Sequence, residues 1–178
     1  MKGKKEIRLY DMIFPIWLIW LFPMSLAAVL PANFIWDMLM LLIIMKCLKI
    51  ENPWREVKKA VVRTWAFGLL ADLISSAFLF LLMSAEPEGH TAIGKLIGDG
   101  IYGATYDPFA NVLSFLFVTI AVAIAALCIY CFNIKFALKK VAAAEAEKKR
   151  ISLFISLTTA PYLFYLPLDC LLGGYFSG

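Results

Sequence analysis

Five long apolar stretches constrain this sequence more than any other feature. They lie at about 10–30, 31–49, 65–84, 109–132 and 151–173. Each is close to the roughly 20 residues that an α-helix needs to cross the hydrocarbon core of a bilayer. A soluble domain could not bury them, because 62% of the 178 residues are hydrophobic and only 17% are charged. The sequence therefore predicts an all-α, polytopic transmembrane bundle that forms a single integral membrane domain over 1–178.

The basic residues predict the orientation of these spans. All but one of the 17 Lys and Arg residues precede the first span, separate the second from the third, or separate the fourth from the fifth. The exception, Lys95, lies in the segment 85–108 beside four acidic residues. Because Lys and Arg are retained on the cytoplasmic side, we expect the N-terminus inside and the C-terminus outside. We expect an integral protein of a bacterial cytoplasmic membrane that contacts anionic lipid, and not nucleic acid, through its net charge of +4.

Capping residues predict how the spans are connected. Asn33 is suited to cap the helix over 31–49, and Asn52 with Pro53 is suited to begin another helix. That helix is either a separate amphipathic one over 53–64 or the inner end of a long third helix. The strong helix formers of 139–150 predict that the fourth span continues as a helix into the cytoplasm.

The outer segment 85–108 differs from the other connections in composition. It holds five of the ten glycines and the only histidine. Glycine loosens the backbone but also permits close approach to a neighbouring element. The segment is therefore a flexible surface loop or a short re-entrant or interfacial structure. In the fifth span, Pro161 and Pro167 are expected to bend the helix, since each removes a backbone hydrogen bond.

Acidic side chains inside the spans are the first candidates for function, because a charge in the membrane is costly. Asp72 lies near the middle of the third span, on a stripe of small and polar residues with Gly68 and Ser76, and Ser75 adjoins it. Such a stripe is expected to face protein or water, since small residues allow helices to approach closely.

A second pair of acids lies closer to the outer surface. Asp37 and Asp169 fall in the outer thirds of the second and fifth spans, where helix packing is able to bring them together with Asn33. Buried carboxyl groups hold protons or cations in transporters, because desolvation disfavours the charged form. The structural alternative is that Asp72 accepts hydrogen bonds from Ser or Thr, while Asp37 and Asp169 reach the lipid headgroups.

One thiol pair also has a spacing that is used in chemistry. Cys128 and Cys131 form a C-x-x-C, as in thiol–disulfide enzymes. They fall at the cytoplasmic end of the fourth span, and the segment 85–108 contains no cysteine to relay electrons. Since residues i and i+3 share a helix face, inward packing also explains the pair. No catalytic motif, metal-ligand pattern or cofactor-binding motif is found in the sequence.

These features predict a small transport or channel protein, or the membrane subunit of a transport complex. Five spans are few for a solitary transporter, so self-association or a partner membrane subunit is expected. Two alternatives stay open. One is a membrane-embedded enzyme that uses Cys128 and Cys131 or a carboxylate. The other is a non-catalytic assembly or immunity protein.

Overall fold

The computed structural model describes residues 30–84 and 91–167, and the regular structure of these residues is entirely helical. Their five α-helices are α1 (Leu30–Cys47), α2 (Pro53–Ser84), α3 (Ala92–Tyr106), α4 (Val112–Phe132) and α5 (Glu145–Thr158). Three helices are long and apolar enough to cross a membrane, namely α1, α2 and α4 with its extension to Lys140. The all-α prediction is therefore confirmed for this part of the chain. The predicted span at 10–30 lies outside the described residues, apart from Leu30.

A tight link over 48–52 joins α1 to α2. The Ile50 N–H donates to the Met45 carbonyl and the Lys49 N–H to the Lys46 carbonyl, each at 3.0 Å. These two bonds form a Schellman motif, which satisfies the carbonyls at the end of a helix. The motif requires a left-handed residue, and Lys49 takes that position with a φ of 55°. The chain thereby reverses, and α2 returns along α1.

The sequence predicts the start of α2 correctly, but the predicted cap of the helix over 31–49 is wrong. As expected, α2 begins at Pro53, and it continues unbroken to Ser84, so 53–64 is the inner end of a long helix. Asn33 does not cap 31–49, because the helix already includes Leu30 and Pro31.

The segment 85–108 contains a helix, so the flexible-loop interpretation is wrong for 92–106. Thr91 caps α3 by accepting the Gly94 N–H at 3.0 Å, and Asn111 caps α4 by accepting the Ser114 N–H at 2.9 Å. The Ser114 hydroxyl donates across the interface to the Gly100 carbonyl at 3.0 Å. A Cβ on Gly103 would collide with that hydroxyl. These glycines therefore allow α3 and α4 to pack closely.

The link between α4 and α5 is not the continuous helix that was predicted over 139–150. A π turn (Asn133–Ala137) and a 3₁₀ turn (Leu138–Lys140) extend α4, and α5 begins only at Glu145. The break is held by Glu56, whose Oε2 accepts the Ala142 N–H at 2.8 Å. The links 48–52 and 141–144, with the Lys- and Arg-rich helix ends beside them, therefore lie side by side. We call this the basic end of the bundle.

The apolar stretch 151–173 is not one continuous helix over its described residues. Helix α5 ends at Thr158, and a short 3₁₀ turn (Tyr162–Tyr165) follows. Pro161 explains the interruption, because a proline disfavours helical geometry in the residue before it and cannot donate a backbone hydrogen bond. Residues from 168 onward lie outside the described part.

The main core lies between α1, α2, α4 and α5. Its fully buried apolar side chains include Leu41, Met45, Val57, Ile129, Ile151 and Ile155. A smaller cluster forms where α4 meets the chain after α5, around Val118, Val122 and Ala160. Many apolar side chains on α1, α2 and α4 remain exposed. This distribution is the one expected where the surrounding solvent is lipid.

Candidate functional site

The candidate site is a pair of carboxyl groups between α1 and α2. Aromatic contacts set the register of the two helices. The Phe34 and Trp65 rings meet edge to face with their centroids 5.9 Å apart, and the Trp65 indole N–H donates to the Leu30 carbonyl at 3.2 Å. Asp37 follows Phe34 by one turn of α1, and its carboxylate reaches Gly68, which follows Trp65 by one turn of α2.

Gly68 lies beside the Asp37 carboxylate. A Cβ built on Gly68 would lie 3.9 Å from Asp37 Oδ2, which is an ordinary van der Waals distance. Asp37 is only 6% exposed, although it lies in a helix apolar enough to cross a membrane. The α1–α2 interface therefore encloses an ionisable group that the sequence places in the outer third of its span.

Asp72 lies one helical turn beyond Gly68. Its carboxyl group is close enough to that of Asp37 for the two to interact electrostatically. Asp72 Oδ1 is buried and has no hydrogen-bond partner among the described residues. Within the same part of the chain, neither aspartate makes an ion pair with Lys, Arg or His. Two adjacent carboxylates cannot both stay ionised at low dielectric, since like charges repel and desolvation penalises each.

Of the other predicted site residues, the structure buries one near this pair and leaves two exposed. Ser75 is fully buried, and its hydroxyl donates to the Asp72 backbone carbonyl at 2.9 Å, not to the Asp72 carboxylate. Ser76 and Asn33 are exposed. Asp169 lies outside the described residues, so its predicted approach to Asp37 stays a prediction. The structure thus brings Asp37 together with Asp72, a pairing that the sequence analysis did not anticipate.

A second buried polar contact was missed by the sequence analysis. Thr64 of α2 donates to Asn133 Oδ1 at 2.9 Å, and Asn133 Nδ2 donates to the Ile129 carbonyl at 2.9 Å. Both polar atoms of this amide are therefore engaged, the oxygen across the α2–α4 interface and the nitrogen within α4. The available signal was an asparagine directly after a long apolar run, where an amide needs a partner.

The thiol pair does not form an enclosed redox site. Cys128 and Cys131 are both free cysteines on α4. Cys128 is half-buried and packs against the main core, whereas Cys131 is exposed. The two thiols thus occupy different environments despite their i, i+3 spacing. Over residues 30–84 and 91–167, no group of three or more His, Cys, Asp or Glu side chains could hold a metal ion.

Comparison with protein-family models, with curated proteins and with solved structures returned no match for this chain. The features of this chain that bear on function are therefore the carboxyl groups of Asp37 and Asp72 and the membrane-length helices that carry them.

Proposed function

We propose that this chain is a multi-pass membrane protein of the transport class in which Asp37 and Asp72 take up a proton. The observation that carries the proposal is that two carboxyl groups without ion-pair partners among the described residues, the buried one of Asp37 and the half-buried one of Asp72, lie close enough to interact electrostatically inside helices of membrane-spanning length. A charged side chain in the middle of a bilayer costs about 2.5–3.5 kcal/mol even on insertion-based scales. A proton taken up by either group removes one of these charges and the repulsion between the two carboxylates.

A proton is favoured over a metal cation by the composition of the site. A dehydrated metal ion takes several oxygen ligands, and no third acidic side chain joins the pair among the described residues. The site needs no further ligand to bind a proton. Such a site fits a small transport or channel protein, and equally the membrane subunit of a transport complex. The enzyme and assembly alternatives stay predictions that no observation on these residues favours.

The proposed topology has five spans, with the N-terminus and the basic end in the cytoplasm. The Glu56–Ala142 and Thr64–Asn133 hydrogen bonds support this topology, because they bring two basic segments to one end of the bundle. Lys95 lies on α3, which packs against the opposite end of α4. The first span, the outer part of the fifth span and the association with a second subunit belong to the proposal.

Proton flux through purified protein tests the function. The full chain is reconstituted in vesicles that contain a pH-sensitive dye, and a potassium diffusion potential drives proton entry. We expect Asp37→Asn and Asp72→Asn each to lower the flux at least tenfold. Asp99→Asn is the matched control, since Asp99 is exposed on α3 and should leave the flux unchanged. Wild-type flux in Asp72→Asn would overturn the proposal.

A further inference from the structure

A cleft of about 600 Å³ opens beside the 48–52 link at the basic end of the bundle, away from the carboxyl pair. Its described lining combines apolar, amide and cationic side chains, namely Leu42, Lys46, Asn52, Pro53, Trp54 and Arg55. A cleft with two cations and an apolar wall is suited to bind a molecule that has both an anionic group and an apolar chain.

The two cations in the cleft are available to a ligand. Lys46 and Arg55 are exposed, and within the described part of the chain neither makes an ion pair. Glu56 neighbours Arg55 but points into the core, where the Ala142 N–H and the Lys59 ammonium occupy its two oxygens.

The other nearby carboxylate does not neutralise the cleft. Glu51 is exposed in the link and makes no ion pair with a residue that the structure describes. The cleft also opens at the first turn of α2, where the helix dipole adds partial positive charge. An anion placed between Lys46 and Arg55 would therefore gain two charge-assisted contacts.

The apolar wall continues out of the cleft along α1. Ile35, Leu39 and Ile43 are exposed at steps of four residues and lead toward Lys46 on one face of the helix. At the mouth, the Trp54 ring is exposed and the Lys58 ammonium lies 5.3 Å from its centroid. Exposed Trp and Lys side chains at this level are typical of a membrane–water interface.

We infer that this cleft binds an anionic phospholipid. The phosphate lies between Lys46 and Arg55, and an acyl chain follows Ile43 and Leu39 along α1. Arg55 suits this role because its planar guanidinium matches a phosphate in bidentate geometry. The inference rests on the membrane location in the proposed function, but it is independent of proton uptake at Asp37 and Asp72.

Native mass spectrometry of the full chain in detergent tests the inference. The protein is titrated with phosphatidylglycerol or with phosphatidylcholine of the same acyl chains. We expect the anionic lipid to bind at least tenfold more tightly. We expect Lys46→Gln/Arg55→Gln to weaken its binding roughly 30-fold, the combined effect of two basic residues at an anionic lipid surface. Equal binding of the two lipids to the wild-type protein would overturn the inference, whatever the variants do.

The control removes the same charge at the same end of the bundle. Lys139 and Lys140 are exposed outside the cleft, so Lys139→Gln/Lys140→Gln should bind phosphatidylglycerol like the wild type. An equal loss of phosphatidylglycerol binding in this variant would mean that binding follows the total charge and not a defined site. Full competition by millimolar inorganic phosphate would mean that the cleft recognises a free phosphate and not a lipid, and would also overturn the inference. Failure of the wild-type chain to insert into vesicles would instead count against the membrane assignment, which separates the two proposals.

Discussion

Thr64 Oγ1 donates a hydrogen bond of 2.9 Å to Asn133 Oδ1, and both side chains are almost completely buried. Asn133 is the first residue of the π turn that extends α4. The hydrogen bond therefore holds α2 against α4 at the point where the α-helical hydrogen-bond pattern changes. Buried amides of this kind specify one arrangement of helices, because a shifted register would leave them unpaired.

Replacing Thr64 by Val should destabilise the bundle. The substitution preserves shape but leaves Asn133 Oδ1 without its donor, at a cost of about 0.5–2 kcal/mol. Thr64→Ser keeps the hydroxyl and should retain most of the stability. Thermal or denaturant unfolding in detergent measures the difference. The interpretation is wrong if Thr64→Val unfolds at the same denaturant concentration as the wild type.

Adding a methyl group to Gly103 should separate α3 from α4. Its Cβ would collide with the Ser114 hydroxyl, and a Cβ on Gly100 would lie 2.7 Å from that of Leu113. We expect Gly103→Ala to cost about 1–3 kcal/mol in unfolding free energy, as overpacking usually does. Gly68→Ala is the control, since its Cβ would have ordinary clearance of 3.9 Å. Equal stability of the two alanine variants would contradict the close α3–α4 packing.

Glycine at position 49 should stabilise the α1–α2 link. Lys49 has a φ of 55°, which strains any residue with a side chain but not glycine. Lys49→Gly should therefore raise the unfolding free energy by up to about 1 kcal/mol. Lys46→Gly changes a residue inside α1 and should lower the unfolding free energy by a similar amount. A loss of stability in Lys49→Gly would show that the left-handed conformation is not formed.

Cysteine labelling tests the proposed orientation. In a background without the four native cysteines, Lys95→Cys and Lys139→Cys each place a single thiol at an exposed position. The two positions lie near opposite ends of α4. A membrane-impermeant maleimide should label Lys95→Cys in intact cells, and Lys139→Cys only after permeabilisation. Labelling of both in intact cells would mean that α4 does not cross the membrane.

The sequence predicts helices well wherever composition alone decides them. The run over 109–132 leaves little choice but α4, and Pro53 marks the start of α2. Predictions from the sequence fail where the packing between helices decides the local structure. Glycines at 100 and 103 are compatible with a flexible loop or with close packing when the sequence is considered alone, and in the structure α4 fills the space that they leave. The caps at Thr91 and Asn111 were the available signal for the α3–α4 pair.

The candidate site was predictable only in part, for a related reason. A lone aspartate in an apolar run identifies Asp72 and Asp37 separately, because the cost of burial is a property of each residue. Their pairing depends on the register between α1 and α2, which the Phe34–Trp65 contact and the 48–52 link determine. No periodicity within either helix encodes that register.

The central claim is that Asp37 and Asp72 take up a proton inside the bundle. Infrared spectroscopy of the full chain in lipid at neutral pH tests it most directly, because protonated and ionised carboxyl groups absorb at different frequencies. Aspartate labelled with ¹³C assigns the band. We predict a protonated aspartate band that Asp37→Asn and Asp72→Asn each shift or remove and that Asp99→Asn leaves unchanged. A spectrum with no protonated aspartate, or with a band that neither buried substitution alters, would contradict the claim.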